Sequence, residues 1–180
     1  MEQTFTVEEA LDRKDTIFID VRSPAEFRQA SIPGAVNIPL FDDTGREQLG
    51  LIYHREGETA ARRAALKLVS PQLPDLVDAV IAAAGDKIPV LYCWRGGLRS
   101  RSLQVVLNQA GIPAWRLLGG YRAYRRRVHR RLQDYPLQSR FAVLHGLTGA
   151  GKTAVIRELI RRGQPAIDLA EEPVQFVERF

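Results

Sequence analysis

The run Tyr92-Cys93-Trp94-Arg95-Gly96-Gly97-Leu98-Arg99-Ser100 gathers a thiol, two arginines and two glycines into nine residues, and its cysteine is the one cysteine of the chain. The apolar stretch Pro89-Val90-Leu91-Tyr92-Cys93 reads as a buried strand that delivers the sulfur to a loop, and a helix is expected from Leu98 to Ala110. That order sets the sulfur beside backbone N–H groups with no helical partner and at the positive end of a helix dipole. Arg95 and Arg99 add full positive charges, and Gly96 and Gly97 let the loop turn its amides inward. Each influence favours thiolate, so the thiol is expected to titrate below the ordinary value of roughly 8.5. The loop Trp94, Gly96, Gly97 and Leu98 would cradle an oxyanion or a bound persulfide. The plainer alternative is a packing cysteine, since free cysteines are commonly buried and inert. Packing does not ask for two arginines and two glycines so close by, so Cys93 reads as a nucleophile with Arg95 and Arg99 as its catalytic partners. Trp94 reads as a cover over the site.

A second loop has phosphate chemistry. Gly146-Leu147-Thr148-Gly149-Ala150-Gly151-Lys152-Thr153 matches the pattern G-x4-G-K-[ST]. An apolar strand is expected before it, Phe141–His145, and a helix after it, Ala154–Arg162. The backbone at Gly146, Thr148, Gly149 and Gly151 would wrap phosphates, Lys152 would reach a terminal oxygen, and the Thr153 hydroxyl would take Mg²⁺. A chance glycine turn is the alternative, and the flanking strand and helix argue against it. Asp168, after the short apolar run Ala166–Leu169, would either assist that metal or cap an element. No dedicated protein metal site is expected.

A third feature is electrostatic. From Tyr121 to Arg140 there are seven arginines and one acid, Asp134. A helix over Tyr121–Leu132 would present Arg122, Arg125, Arg126, Arg127, Arg130 and Arg131 beside Tyr121 and Tyr124, a composition suited to phosphates and exposed bases. A solvated linker helix explains the same residues equally well. Over the whole chain of 180 residues, 26 Lys+Arg stand against 21 Asp+Glu, so the excess matters by its location. One cysteine excludes an internal disulfide framework and suits a reducing compartment. Glu2, Glu8, Glu9, Asp12 and Asp15 make the start unlike a signal peptide, and no apolar run approaches the roughly 20 residues of a membrane span. A cytoplasmic protein with no membrane association is therefore expected.

The elements that must position these groups are legible in outline. Thr6-Val7-Glu8-Glu9 is a capping box opening a short helix. Thr16–Asp20 is a buried strand, and Ser23-Pro24-Ala25-Glu26 starts a helix directly after it. Ile32–Pro39 reads as a turn and short strand, and residues 40–57 as loop with a little helix. Helices are expected over Glu58–Leu68 and Leu73–Ala84, and a strand over Ala114–Leu118, broken by Gly119-Gly120. Alternation of strands and helices predicts an α/β fold, a parallel sheet with helices on both faces. The expected organisation is a first domain over 1–132, a linker over 133–140 around Asp134-Tyr135-Pro136, and over 141–180 the incomplete N-terminal part of a P-loop α/β domain.

Several of these segments together resemble a known family. Asp20-Val21-Arg22-Ser23-Pro24-Ala25-Glu26-Phe27, Ile32–Pro39, the Cys93 loop and Leu118-Gly119-Gly120-Tyr121 are similar, in this order, to the signatures of rhodanese domains across residues 4–130. The resemblance implies a cysteine that carries sulfur or selenium as a persulfide or perselenide. One departure is the five residues between Cys93 and Arg99: this Cys-x5-Arg spacing resembles the related cell-cycle phosphatases and keeps a phosphatase reading open, beside a generic sulfurtransferase and a non-catalytic tRNA-binding module. A rhodanese domain followed by a P-loop resembles the bacterial tRNA 2-selenouridine synthases, in which the long loop is usual. That resemblance implies tRNA as partner, a selenophosphate donor system, and replacement of the 2-thio group of the wobble uridine by selenium, through S-geranylation from geranyl diphosphate. It makes Cys93 the selenium-handling nucleophile. Members of that family are longer, and Glu171–Phe180 does not match their next motif, so a C-terminally truncated member is expected.

Overall fold

The computed structural model describes residues 3–135 and 142–168. The chain divides into two compact units between Asp134 and Tyr135.

The first unit is built on a five-stranded sheet, β1 (Thr4–Phe5), β2 (Thr16–Asp20), β3 (Val36–Asn37), β4 (Ile88–Tyr92) and β5 (Trp115–Leu117), in the order β1-β5-β4-β2-β3. Every pairing is parallel, with Ile19 opposite Leu91 and Val90 opposite Trp115. A central parallel strand is covered on both faces and needs apolar residues throughout. Accordingly, Val90, Leu91 and Tyr92 are completely buried. Successive side chains leave the strand on opposite faces. Leu91 and Cys93 enter one core cluster with Ile19, Val80, Leu103 and Leu107, while Val90 and Tyr92 enter the other with Phe5, Leu117 and Tyr121.

The capping boxes at Thr6 and Ser23 form as expected and open α1 (Val7–Asp12) and α2 (Pro24–Gln29). Residues 40–57 differ from expectation: Asp43–Glu56 is a fourteen-residue helix, α3. Its only buried residues are Gly45 and Leu49, so it carries little of the periodic apolar stripe that reveals a helix in sequence. Its start is fixed by Asp42, whose carboxylate accepts the Gly45 N–H at 2.6 Å, and its end by Gly57 at φ 88°. The helices α4 (Glu58–Val69), α5 (Leu73–Ala84), α6 (Leu98–Gln109) and α7 (Gly120–Gln133) follow the expected spans closely. Strand β1 has no counterpart in the sequence expectation. Two residues show no period, and the strand is fixed only by its partner β5.

In the second unit, α8 (Lys152–Arg161) is the one helix among the described residues, and none of them forms a strand. The strand expected at Phe141–His145 is not found over 142–145, and Phe141 lies outside the described residues. Ala166–Asp168 is likewise not a strand, and Leu169 is not described. A parallel strand exists only through its neighbours, and no other strand of this unit is described. A P-loop domain is therefore not seen, although the loop and its helix are.

Candidate active site

Strand β4 ends at Tyr92, and the next residue places its sulfur on the face covered by α6. Cys93 is 4% exposed. Burial pushes the thiol up, but opposing influences outweigh it and leave it below its ordinary value: the Ser100 hydroxyl and amide, the Arg99 charge and the Gly97 amide. The Ser100 Oγ lies 3.5 Å from the sulfur and 3.2 Å from the Gly97 carbonyl oxygen, so its one proton goes to the carbonyl beside a thiol and is within reach of the sulfur when that is a thiolate. No side chain caps the start of α6, so its first amides are available to an anion.

The loop is clamped from behind. Tyr121 and Arg122, in the first turn of α7, donate their N–H groups to the carbonyls of Cys93 (2.9 Å) and Trp94 (3.0 Å). Arg116 Nη1 donates to the Gly96 carbonyl at 2.7 Å, and its Nε donates to Gln104 Oε1 at 2.9 Å. Gln104 in turn donates to the Gln3 and Ala114 carbonyls. Space for this clamp depends on glycine. Gly96 has φ 66°, and a Cβ there would stand 2.8 Å from the Leu117 carbonyl oxygen; at Gly120, φ 58°, it would overlap the carbonyl oxygen of Cys93. Gly97 is different: its φ is negative, and a Cβ added there would meet no atom within 4 Å.

The two arginines of the loop separate. Arg99 points to α2, where its guanidinium makes a 2.6 Å ion pair with Glu26, and a second bond of 3.4 Å completes a fork. Burial would raise the Glu26 carboxyl, but the Arg99 hydrogen bond and charge hold it below the usual carboxylate range. Arg95 is exposed and is not among the groups that lower the Cys93 thiol. It lines a pocket with Trp94 and residues of α7. Leu98 is exposed and, with Arg99, borders a groove of about 630 Å³ between α3, α4 and α6. Ser100, Glu26, Arg116 and Gln104 are site residues that the sequence reading misses. A signal for one of them is present in the sequence: Arg116 interrupts the run Ala114–Leu118 that is expected to be a strand, and a charge inside a strand of a covered sheet requires partners.

Along α7, Arg122, Arg125 and Arg126 face the Arg95 pocket, Arg127 pairs with Glu8 at 3.3 Å, and Arg130 and Arg131 are exposed beyond it. In the second unit, Gly146, Thr148, Gly149 and Gly151 form the loop before α8, with Gly149 and Gly151 at φ 84° and 81°. Lys152 Nζ donates to the Gly146 and Leu147 carbonyls at 2.9 and 2.7 Å, and Thr153 is exposed in the first turn. Asp168 is buried. No cluster of three or more metal-ligating side chains occurs among the described residues. No helix among them is long and apolar enough to cross a membrane.

Residues 6–127 match the family described as rhodanese-like domain. A tRNA 2-selenouridine synthase of Bordetella petrii is 42% identical over 149 residues, which are 81% of this chain and 40% of that protein. One of Verminephrobacter eiseniae is 44% identical over 148 residues, with the same coverage of 81% and 40%. The chain thus spans about 40% of the length of these curated relatives. Among solved structures, the N-terminal domain of a putative ATP/GTP binding protein from Clostridium difficile 630 superposes with a TM-score of 0.67 at 35% identity, covering 69% of this chain and 98% of that one.

Proposed function

The chain belongs to the rhodanese-like domain family, and from that membership we propose that it supplies the chalcogen-handling part of a tRNA 2-selenouridine synthase. The observation that carries this reading is the placement of the Cys93 sulfur at the end of β4, 3.5 Å from Ser100 Oγ and at the start of α6, which no side chain caps; these surroundings favour its thiolate. A thiolate in an amide cradle accepts a chalcogen atom and keeps the resulting anion solvated by N–H groups instead of water. The name of the relatives supports a 2-selenouridine product in tRNA, and the proposal extends this, on the family resemblance, to the 2-thio group of the wobble uridine replaced by selenium from selenophosphate after S-geranylation. The apolar groove beside Leu98 and Arg99 suits the chain of geranyl diphosphate, its walls including Leu40, Leu49, Leu66, Val69 and Val106. The Gly146–Thr153 loop suits a diphosphate or nucleotide. Thr153 would supply one oxygen to Mg²⁺, the other ligands coming from phosphate and water, and Lys152 would exchange its two carbonyl partners for phosphate oxygens.

A phosphatase would need Arg99 to turn onto a phosphate, away from Glu26. The two chemistries are separated by loading the chain with selenosulfate. The Cys93 thiolate attacks the outer selenium, the Se–S bond breaks and sulfite leaves, so the intact mass rises by one selenium atom at Cys93. The Cys93→Ser variant takes none. Rapid aryl phosphate turnover through a phosphoenzyme, with no perselenide formed, would overturn the reading.

A further inference from the structure

The pocket behind the Cys93 loop is unlike the rest of the charged surface. It has a volume of about 330 Å³ and is lined by Trp94, Arg95, Arg122, Arg125, Arg126 and His129. Many other guanidinium groups of this unit are matched: Arg13 with Asp15, Arg22 with Asp20, Arg62 with Glu58, Arg99 with Glu26, Arg127 with Glu8. Around this pocket four guanidinium groups converge, and no carboxylate of the described residues pairs with them. Such a concentration of like charge is relieved by a multiply charged anion. The pocket also has an aromatic wall. Trp94 is half-buried, its ring 5.7 Å from that of Tyr121, which lies 6.1 Å from Tyr124.

We infer that this pocket is a nucleotide subsite for single-stranded RNA, in which Arg95, Arg122, Arg125 and Arg126 hold phosphates and an unstacked base lies on Trp94. The inference deepens the tRNA reading above and rests on it. Aromatic side chains flanked by arginines are the ordinary platform for splayed bases of RNA loops. The subsite serves a nucleotide that flanks the reacting one, because Cys93 and Trp94 diverge: the thiol packs with the α6-side cluster and the indole with the Tyr121 cluster. The two places are nonetheless rigidly linked, since the first amides of α7 hold the carbonyls of both residues.

The test uses the full chain, a fluorescein-labelled single-stranded RNA heptamer and anisotropy titrations over a range of KCl concentrations. Arg122→Gln with Arg126→Gln is expected to weaken binding at least tenfold and to lower the salt slope by about 1.4, since each phosphate contact contributes about 0.7 on single strands. Arg62→Ala, on α4, leaves affinity unchanged. Trp94→Ala costs about tenfold, and Trp94→Phe, which keeps a ring in the packing, restores most of it. The chain has two tryptophans, so Trp115→Phe isolates the emission of Trp94. RNA is expected to quench that emission, whereas inorganic tripolyphosphate displaces RNA without quenching. RNA binding that survives the paired arginine change, or that leaves Trp94 emission untouched, overturns the subsite. Failure of Cys93 to take up selenium would instead overturn the chalcogen reading, and the two results are independent.

Discussion

Burial alone would keep the proton on Cys93, and it is the largest single influence on that thiol. Its defeat is collective, with the Ser100 hydroxyl and amide each acting more strongly than the Arg99 charge among the opposing groups. Ser100→Ala is therefore expected to raise the midpoint of alkylation rate against pH and to slow alkylation at neutral pH. Arg99→Ala should do the same, and Arg95→Ala should leave the midpoint in place. Equal shifts from Arg95→Ala and Ser100→Ala would contradict the assignment. The sign for stability follows from the same shift. The folded thiol ionises below the unfolded one, so the unfolded chain binds more protons between the two values, and stability rises with pH across that window. The contribution is complete above roughly 8.5 and is lost as pH falls through the folded value. The placement of Cys93 between a buried strand and a helix start, with Arg99 close by, is legible from residue types and spacing. The role of Arg95 is not, because the two arginines of the loop look alike in sequence and only the fold turns one toward Glu26 and the other toward α7.

At the scale of elements, the active loop is a junction of β4, α6 and α7, and glycine decides whether it closes. Gly120→Ala combines a left-handed backbone with a Cβ driven into the Cys93 carbonyl oxygen. It is expected to cost at least about 2 kcal/mol in urea unfolding and to disturb Cys93 alkylation. Gly97→Ala, with open space and φ −92°, is expected to stay within about 1 kcal/mol of the parent. In sequence Gly96 and Gly97 are indistinguishable, and the need for Gly120 arises from a contact with Cys93, which lies far from it along the chain. The strand–helix alternation, by contrast, is legible because β2 and β4 are apolar runs, α2 opens with its own capping box and α6 carries its own apolar face. Helix α3 is hidden because its partners supply most of what its own sequence lacks. The signature Asp20-Val21-Arg22 is also a junction. Arg22, 1% exposed, forks onto the fully buried Asp20, donates to the Ala30 carbonyl at 2.6 Å, and lies over the Tyr121 ring at 4.4 Å. Asp20→Asn leaves a buried guanidinium without its counter-charge. The expected loss is about 3–5 kcal/mol by urea denaturation, and a loss under about 1 kcal/mol would show that the pair is not needed for folding.

For the whole molecule, the distribution of structure between the two units has a consequence for folding. All five strands, both buried clusters and the entire clamp around Cys93 belong to the unit that ends at Asp134. Both faces of its parallel sheet are covered from within, by α3 to α6 on one side and by α1 and α7 on the other, which is the condition such a sheet requires. A unit of about 130 residues is also large enough to hold a cooperative core. A chain ending at Asp134 is therefore expected to unfold in one transition, with an unfolding free energy in urea within about 0.5 kcal/mol of that of the same unit in the full chain. Its Cys93 alkylation profile should be unchanged. The second unit presents helix α8 and an exposed glycine loop, and a helix of this length draws its stability from packing rather than from propensity. Limited proteolysis of the full chain should accordingly cut first on the C-terminal side of α7 and leave a resistant core that still carries a reactive thiol. Cleavage inside residues 3–134 before that point, or loss of thiol reactivity on truncation, would show that the sheet unit does not stand on its own core.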